Sequence, residues 1–332
     1  MKKILITGGS GFIGSEIVRQ GILRGYKIVN VDALKYSGNE NNNVTVSHNS
    51  NYVHIKLDIL NFSELETLIQ KTQPNYIIHA AAESHVDRSI DSPRVFCETN
   101  IMGTYNILEA TKNYIVKKTE PFRYIHISTD EVYGSLEMKG KPFDLDSVYA
   151  PNSPYSASKA SSDHLVRAWQ MTYGFPSTVI NCSNNYGQYQ FPEKLIPKTI
   201  INALRGHKIP IYGSGENVRD WLFVSDHVDA LYKIVETDIL KSKYLLGGDA
   251  ERTNLEIVNN ICEILDELRR PKIPFKNLIE FVEDRKGHDK RYAVDASETK
   301  KALNWRPQVT FDEGIRKTVI WYLENEHWWD KF

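Results

Sequence analysis

The sequence predicts an α/β protein built on a doubly wound parallel sheet, with a smaller, interleaved C-terminal domain. Short apolar and β-branched runs alternate with helical patterns as far as residue 182, which is typical of parallel sheets. A glycine-rich turn, Gly-Gly-Ser-Gly-Phe-Ile-Gly at residues 8–14, follows the first apolar run directly. After residue 182 the alternation becomes irregular, which indicates a second unit.

Length, charge and cysteine usage exclude several classes of protein. The 332 residues are enough for two domains, and a net charge of -1 gives no global attraction to nucleic acid or an anionic membrane. No apolar stretch approaches the ~20 residues of a membrane span. Cys97, Cys182 and Cys262 show neither metal-ligand spacing nor a pairing pattern. We expect a cytoplasmic protein with no metal, no nucleic-acid partner and no membrane span.

The first strand, the glycine turn and the second strand form a dinucleotide-binding pattern. Residues 3–7 are predicted as a strand, a helix follows the glycines, and residues 26–32 form a strand that ends in Asp32. The glycines let a pyrophosphate approach the helix N-terminus, where free N–H groups favour negative charge. Asp32 is placed to accept hydrogen bonds from a ribose 2′-hydroxyl, which favours NAD over its 2′-phosphorylated analogue.

The alternation continues through two further strands. Residues 37–51 are rich in Asn, Ser and Gly and predict a polar surface loop, followed by a strand over 52–58. Residues 75–82 predict a fourth strand, whose alanines at 80–82 let a ligand lie close. Asp58 has two readings that the sequence leaves open: a helix-entry residue, or a contact of the adenine.

An acidic motif follows the next predicted strand. After a long helical pattern over residues 92–117, a buried strand is predicted over 123–128, and Thr129, Asp130 and Glu131 come directly after it. Neighbouring residues of a regular strand point to opposite faces. The two acids therefore reach one ligand only where the backbone is irregular, as at a strand end.

A tyrosine and a lysine occupy the following helix. Ser153 and Pro154 are typical of a helix start, and Tyr155 and Lys159 are four residues apart, so they share one helix face. A nearby ammonium stabilises a phenolate, so the spacing predicts that Lys159 lowers the pKa of Tyr155.

The domain boundaries follow from where the alternation breaks. Residues 1–182 with 219–249 are predicted as the cofactor-binding, Rossmann-type domain. Residues 183–218 with 250–332 are predicted as the domain that binds the second ligand and closes over the edge of the sheet.

Gly8, Gly11 and Gly14, together with Tyr155 and Lys159, resemble the extended short-chain dehydrogenase/reductase superfamily. Within it, several segments resemble the family of dTDP-glucose 4,6-dehydratases. These segments are residues 80–89, 128–134, 182–187, 192–197, 219–221 and 284–289. The resemblance spans essentially the whole chain, and the Thr-Asp-Glu triplet is its most specific part.

The resemblance implies a dehydratase that uses NAD and releases water from dTDP-glucose without net redox change. Tyr155 would take the proton of the sugar 4-hydroxyl while C4 gives hydride to NAD, and Thr129 would hydrogen-bond the same oxygen. Glu131 would then remove the C5 proton, and protonated Asp130 would donate to the departing 6-hydroxyl before hydride returns to C6. Lys159 would support Tyr155. A homodimer is also implied.

Binding residues are carried over from the same resemblance. Cofactor contacts are expected at Gly8, Gly11, Phe12, Ile13, Gly14, Asp32, Leu34, Asp58, Ile59, Ala80, Ala81, Ala82, Ser84, Thr99, Tyr155, Lys159 and Asn185. Substrate contacts are expected at Ser84, Thr129, Asn184, Lys194, Leu195, Pro210, Tyr212, Arg219, Asn254, Arg285 and His288. From the residues alone, Arg219 and Arg285 suit a diphosphate or a surface ion pair. His288 and Asn254 equally suit structural roles.

Two positions depart from the family pattern. Asn181 stands where arginine is expected and Gln188 where proline is expected, and both adjoin the ligand-contacting loop. The alternatives are a UDP-sugar 4,6-dehydratase, a nucleotide-sugar 4-epimerase, and a non-enzymatic NAD(H)-sensing scaffold. The acid pair argues against the epimerase, and the intact Tyr155, Lys159 and acids argue against the scaffold.

Overall fold

A computed structural model describes residues 1–116, 118–285 and 287–332 of the chain. The strands are β1 (Lys3–Thr7), β2 (Lys27–Asp32), β3 (Tyr52–Lys56), β4 (Tyr76–His79), β5 (Arg123–Thr129), β6 (Ser177–Cys182), β7 (Asn184–Tyr186), β8 (Ile209–Tyr212), β9 (Val218–Phe223), β10 (Lys243–Leu246), β11 (Glu251–Thr253) and β12 (Ile279–Val282). The α-helices are α1 (Phe12–Leu23), α2 (Phe62–Thr72), α3 (Val86–Asp91), α4 (Pro93–Phe96), α5 (Gly103–Ile115), α6 (Pro154–Tyr173), α7 (Leu195–Arg205), α8 (Val224–Glu236), α9 (Asn254–Arg269), α10 (Ser297–Leu303), α11 (Phe311–Glu324) and α12 (Glu326–Trp329).

Seven strands form one parallel sheet in the order β10-β6-β5-β4-β1-β2-β3. Every neighbouring pair in this sheet is parallel, so all carboxyl ends lie along one edge. The order reverses direction on either side of β1, and ligands of doubly wound sheets bind at such a point. The predicted α/β class and doubly wound sheet are confirmed.

Helices cover both faces of the sheet. On one face α1 contacts α8, and fully buried Ile17, Val228 and Leu231 pack against the strands. On the other face α2, α5 and α6 lie side by side, with Leu108 and Val166 fully buried beneath them. Each such side chain contributes about 1.5–3 kcal/mol by burial. Within the described ranges, no helix has the length and apolarity needed to cross a membrane.

Two smaller sheets lie in the C-terminal half, where the sequence pattern is irregular. One has the order β11-β9-β7 and the other pairs β12 with β8. Helices α7, α9 and α11 pack together over a separate apolar core. Strands β7, β11 and β12 have three or four residues each and were not predicted, because so short a run shows no periodicity.

The long helix predicted over residues 92–117 is interrupted in the structure, and residue 117 lies outside the described residues. A π-helical turn, Cys97–Met102, separates α4 from α5. Within it Asn100 is buried; its Oδ1 accepts from Glu83 N at 2.9 Å, and its Nδ2 donates to Glu83 O at 3.0 Å and to Ser158 Oγ at 2.8 Å. Asn100 therefore links the loop after β4 to α6. Single π-helical turns are frequent at functional sites of proteins.

We predict that Asn100→Ala lowers the free energy of unfolding by about 2 kcal/mol, because the buried N–H and C=O of Glu83 lose their partner. Exposed Asn113, which donates to Glu66 at 2.7 Å, provides the matched control. Asn113→Ala should change stability by less than about 0.5 kcal/mol. Urea unfolding measures both, and equal losses would contradict the role given to Asn100.

Candidate active site

The glycine turn forms a cradle of backbone between β1 and α1. Gly8 has φ +73°, and a Cβ there would lie 2.6 Å from Ala81 N. A Cβ on Gly14 would lie 1.9 Å from Gly8 O, so only glycine fits. The N-cap residue of α1, Gly11, offers no side-chain acceptor to the helix, which leaves the first N–H groups free for an anion.

Asp32 is held in place beside this turn. Its Oδ2 accepts from Ser10 N at 2.9 Å and its Oδ1 from Leu34 N at 2.8 Å. Burial raises the pKa of Asp32, although both hydrogen bonds lower it. The carboxylate therefore sits at the end of β2 as predicted, facing the cleft beside the glycines.

Part of the loop predicted to lie on the surface is buried and anchors the glycine turn. Residues Asn42 and Asn43 are 1% exposed, and their Nδ2 atoms donate to Ser10 O at 2.9 Å and Gly9 O at 2.8 Å. Trp328 Nε1 donates to Asn42 Oδ1 at 2.8 Å. The surface-loop prediction is wrong here, because both asparagines bond the glycine turn and Asn42 also bonds Trp328 from the far end of the chain.

A large cleft runs along the carboxyl edge of the sheet from this turn. Of the predicted cofactor residues, all except Leu34 line it, and Leu34 instead binds Asp32 through its backbone. Asp58 lines the cleft and pairs with Lys35 at 3.1 Å, while the side chain of Asn61 caps α2. Asp58 Oδ1 also accepts from Leu60 N at 3.0 Å in the turn that precedes α2, so both interpretations of Asp58 stay open.

Thr129, Asp130 and Glu131 stand where β5 ends and a 3₁₀ turn, Asp130–Tyr133, begins. The irregular backbone expected for neighbouring acids is present. Thr129 Oγ1 accepts from Glu131 N and donates to Asp130 Oδ1, both at 3.3 Å. Asp130 is 1% exposed, and its Oδ2 has no hydrogen-bond partner among the described residues.

The two acids have different electrostatic surroundings. Burial raises the pKa of Asp130 well above its usual value, and the neighbouring carboxyls of Glu131 and Asp220 raise it further. Burial also raises the pKa of Glu131, but the cations of Lys194 and Arg219 oppose that increase. The site therefore favours a protonated Asp130 beside a more readily ionised Glu131.

Tyr155 and Lys159 lie on α6, which begins with a capping box between Ser153 and Ser156. Lys159 Nζ donates to Ile127 O at 2.8 Å. Burial raises the pKa of Tyr155 well above its usual value, and the charge of Glu131 adds to this. The net shift is therefore upward and not downward as predicted, because desolvation outweighs any effect of the Lys159 charge.

A second cavity continues from the cleft, and Glu131 and Lys194 line both. It brings together every predicted substrate residue other than Thr129, which lines the first cleft: Ser84, Asn184, Lys194, Leu195, Pro210, Tyr212, Arg219, Asn254, Arg285 and His288. Lys194 Nζ donates to Ser84 O at 2.7 Å and so bridges the two halves of the chain.

The two arginines of this cavity differ, because Arg285 forms a partly exposed ion pair with Asp87 whereas Arg219 bonds backbone oxygens. Arg219 is 8% exposed and donates to backbone oxygens, including that of Asp289 at 3.1 Å. Arg285 Nη2 donates to Asp87 Oδ2 at 3.0 Å, across the cavity. His288 Nδ1 lies 2.6 Å from Asp284 Oδ1. The neighbouring Lys286 lies outside the described residues.

The two departures from the family pattern occupy different environments. Asn181 is fully buried, and its Nδ2 donates to Thr129 O at 3.2 Å and to Asp163 Oδ2 at 3.0 Å. Gln188 is half-buried in the loop after β7. Asn181 therefore touches the backbone of the acidic motif rather than the cavity.

Comparison with known proteins agrees with this geometry. A family model described as GDP-mannose 4,6 dehydratase matches residues 5–318. The dTDP-glucose 4,6-dehydratase of Neisseria meningitidis serogroup B is 52% identical, over 99% of this chain and 95% of that protein. The chain belongs to the dTDP-glucose 4,6-dehydratase family.

Solved structures of this dehydratase family have the same fold. The Bacillus anthracis str. Ames enzyme, crystallised in complex with NAD, is 43% identical with a TM-score of 0.88, covering 100% of this chain and 99% of that one. The Streptomyces venezuelae enzyme, also with NAD bound, is 39% identical with a TM-score of 0.91, covering 99% of both chains. The expected family membership is confirmed.

Asp130 should make folding less favourable as the pH rises. Below the usual carboxyl pKa both the folded and unfolded states are protonated; above it the unfolded chain ionises, whereas buried Asp130 resists ionisation. Asp130→Asn should therefore be more stable than wild type, by about 1 kcal/mol or more near pH 8 and by less near pH 5.

Denaturant unfolding at both pH values measures this difference. Exposed Asp146 is the matched control, and Asp146→Asn should show no such growth with pH. An advantage of Asp130→Asn that stays constant with pH would contradict a protonated Asp130.

Proposed function

We propose that this chain converts dTDP-glucose to dTDP-4-keto-6-deoxyglucose by removing water, with NAD as a recycled cofactor. The observation that carries the proposal is the acid pair at the end of β5. Asp130 and Glu131 lie in one cleft with Tyr155, and different charges act on the two acids. Burial raises both pKa values, but Asp220 raises the pKa of Asp130 further, whereas Lys194 opposes the increase for Glu131. A dehydration needs one group that gives a proton and another that takes one.

NAD fits the first cleft because the glycine cradle accepts a pyrophosphate and Asp32 accepts a ribose hydroxyl. When bound, NAD supplies a hydride acceptor for C4 and a hydride donor for C6, and its positively charged nicotinamide favours a phenolate nearby. Lys35, Asp58 and Thr99 line the far part of the same cleft.

Tyr155 takes the proton of the sugar 4-hydroxyl, and Thr129 hydrogen-bonds the same oxygen. The nearby Thr129 side chain lowers the pKa of Tyr155, against the larger effect of burial. A buried phenol stays neutral unless a positive charge, such as a nicotinamide ring or an ammonium group, lies close to it. Lys159, 4% exposed and directed at β5, is the cation of this chain that lies on the same helix face.

Glu131 and Asp130 perform the elimination. The ketone at C4 acidifies the C5–H, and Glu131 takes that proton, its ionised form favoured by Lys194 and Arg219. Protonated Asp130 has one oxygen without a partner and donates to the departing 6-hydroxyl. Proton removal and proton donation thus occur from adjacent residues within one turn.

The second cavity holds the nucleotide. Arg219 and Arg285 suit the diphosphate, because guanidinium pairs with phosphate in a bidentate way. Residues 1–182 with 219–249 form the cofactor-binding domain, and residues 183–218 with 250–332 form the substrate domain. Helix α8, which lies in the first group, packs against α1 and supports that division.

The alternatives lack a supporting observation. A 4-epimerase has no need of the acid pair, and a NAD(H)-sensing scaffold has no need of the intact set Thr129, Tyr155 and Lys159. A UDP-sugar 4,6-dehydratase uses the same chemistry and differs only in the base that the second cavity accepts.

A homodimer in the cytoplasm is also proposed. Met102 and Tyr105 near α5, and Met171 and Tyr173 on the neighbouring α6, expose between 38% and 72% of their surface. An apolar patch of this kind suits a second copy of the chain. Free thiols at all three cysteines suit a reducing compartment. Light scattering should give the mass of a dimer, and a monomer at micromolar concentration would contradict it.

Purified protein incubated with dTDP-glucose should give a 4-keto-6-deoxy product lighter by one water, identified by mass and NMR. UDP-glucose under the same conditions should react much more slowly. Equal rates would move the assignment to the UDP-sugar dehydratase, and a product of unchanged mass would contradict dehydration.

Glu131→Gln should lower kcat by at least about 100-fold, because the C5 proton loses its base. Oxidation at C4 needs only Tyr155 and its neighbours, so NADH absorbance should build up when dTDP-glucose is added. Glu193→Gln, at the border of both cavities, is the matched control and should turn over without that build-up. A Glu131→Gln variant that keeps wild-type turnover would contradict the assigned base.

A further inference from the structure

A buried carboxylate that takes no part in the steps above lies behind the reacting groups. Asp163 is 3% exposed on α6, four residues after Lys159 and therefore on the same helix face. Its Oδ2 accepts from Ser128 Oγ at 2.8 Å, from the Tyr149 hydroxyl at 2.9 Å and from Asn181 Nδ2 at 3.0 Å. Three neutral donors on one oxygen favour the ionised form.

Asp163 is held as an anion despite its burial. Burial raises the pKa of Asp163, but contact with His126, the charge of Lys159 and the hydrogen bond from Ser128 together bring the pKa below its usual value. His126 Nε2 lies 3.2 Å from Asp163 Oδ1. Burial and Lys159 lower the pKa of His126 to about 4, so this histidine is neutral near pH 7 and is not the counter-charge.

Lys159 docks on β5 beside Asp163. Its Nζ donates to Ile127 O at 2.8 Å, between the two β5 residues that Asp163 contacts, His126 and Ser128. Lysine and carboxylate thus dock side by side on three consecutive residues of one strand. Burial lowers the pKa of Lys159, and Asp163 is the main group that raises it again. A buried lysine without such a partner loses its proton readily.

Several other titratable groups lie near Lys159 and Asp163, and one of them, Lys243, is a cation. Lys243 Nζ donates to the Tyr133 hydroxyl at 3.1 Å and lies 4.9 Å from the centre of the Tyr149 ring, whose hydroxyl bonds Asp163. The charge of Asp163 therefore also acts on Lys243, although no ion pair joins the two among the described residues. The groups that face the pair from neighbouring elements are His79 on β4, His126 on β5, Cys182 on β6, Tyr133 and Tyr149 in the segment between β5 and α6, Tyr155 on α6 and Lys243 on β10.

We propose that Asp163 is a positioning residue for the dehydration: it keeps Lys159 charged and held against β5, and through Lys159 it sets the readiness of Tyr155 to take a proton. This role rests on the function proposed above. Asn181 adds a neutral donor to Asp163.

Asp163→Asn tests the proposal through the pH dependence of kcat for dTDP-glucose. Lys159 should lose its proton at lower pH, so the alkaline fall of kcat should begin about one pH unit below that of wild type. KM should stay within about twofold, because Arg219 and Arg285 bind the nucleotide elsewhere. A lowered kcat whose alkaline fall stays at the wild-type pH would overturn the proposal.

Ser162→Ala is the matched control. Ser162 Oγ donates to Lys159 O at 2.8 Å and lies 3.2 Å from His126 Nε2, so the change disturbs the same buried network without altering charge. In Ser162→Ala, kcat should fall at the same alkaline pH as in wild type. A displacement as large as that of Asp163→Asn would mean that packing, not charge, is responsible, and would also overturn the proposal.

A second measurement applies even if Asp163→Asn fails to fold or the enzyme assay fails. Lys159→Met should lower the thermal midpoint, because it leaves Asp163 as a buried, uncompensated anion. Adding Asp163→Asn to Lys159→Met should raise the midpoint again. A further fall in the double variant would refute the pairing. Unfolding needs no substrate, so it separates failure of the pairing from failure of the proposed function.

Discussion

The structure depends on placing two adjacent carboxyl groups, Asp130 fully buried and Glu131 half-buried, in unlike surroundings. An ionised carboxylate away from water is costly unless it is paired, whereas a protonated one is much less so. Burial and the carboxyls of Glu131 and Asp220 raise the pKa of Asp130, while Lys194 and Arg219 oppose the increase that burial causes for Glu131. Because Asp130 and Glu131 are neighbours in the chain, their side chains reach these different surroundings within one cleft only through the 3₁₀ turn after β5. The backbone geometry at one strand end therefore sets the two protonation states.

The rest of the fold brings the cofactor-binding residues and the cations to the end of β5. The parallel sheet brings the glycine turn, Asp32 and the acid pair to one edge. Arg219 comes from β9 in one of the small sheets, and Lys194 precedes α7. Glu131 and Lys194 belong to different domains of the division proposed above, so the site needs residues from both. Lys194, which bonds to the Ser84 carbonyl, joins them directly.

Much of this was predictable from the sequence, because the decisive patterns are local. The glycine spacing with Asp32, the triplet after an apolar run, and the Tyr155–Lys159 spacing each lie within one strand-helix unit. Asn42 and Asp163 were missed, because their roles arise from contacts with residues distant in sequence. The same reason explains the wrong sign for the pKa of Tyr155, which is set by burial and not by spacing.

One measurement tests the central claim most directly: the fate of deuterium placed at C4 of dTDP-glucose. The arrangement of Tyr155, Glu131 and Asp130 predicts that one water is lost and that the deuterium appears at C6 of the product. NMR and mass distinguish the positions. Deuterium retained at C4 with no loss of mass would contradict the account, since it would mean that the acid pair takes no part in the reaction.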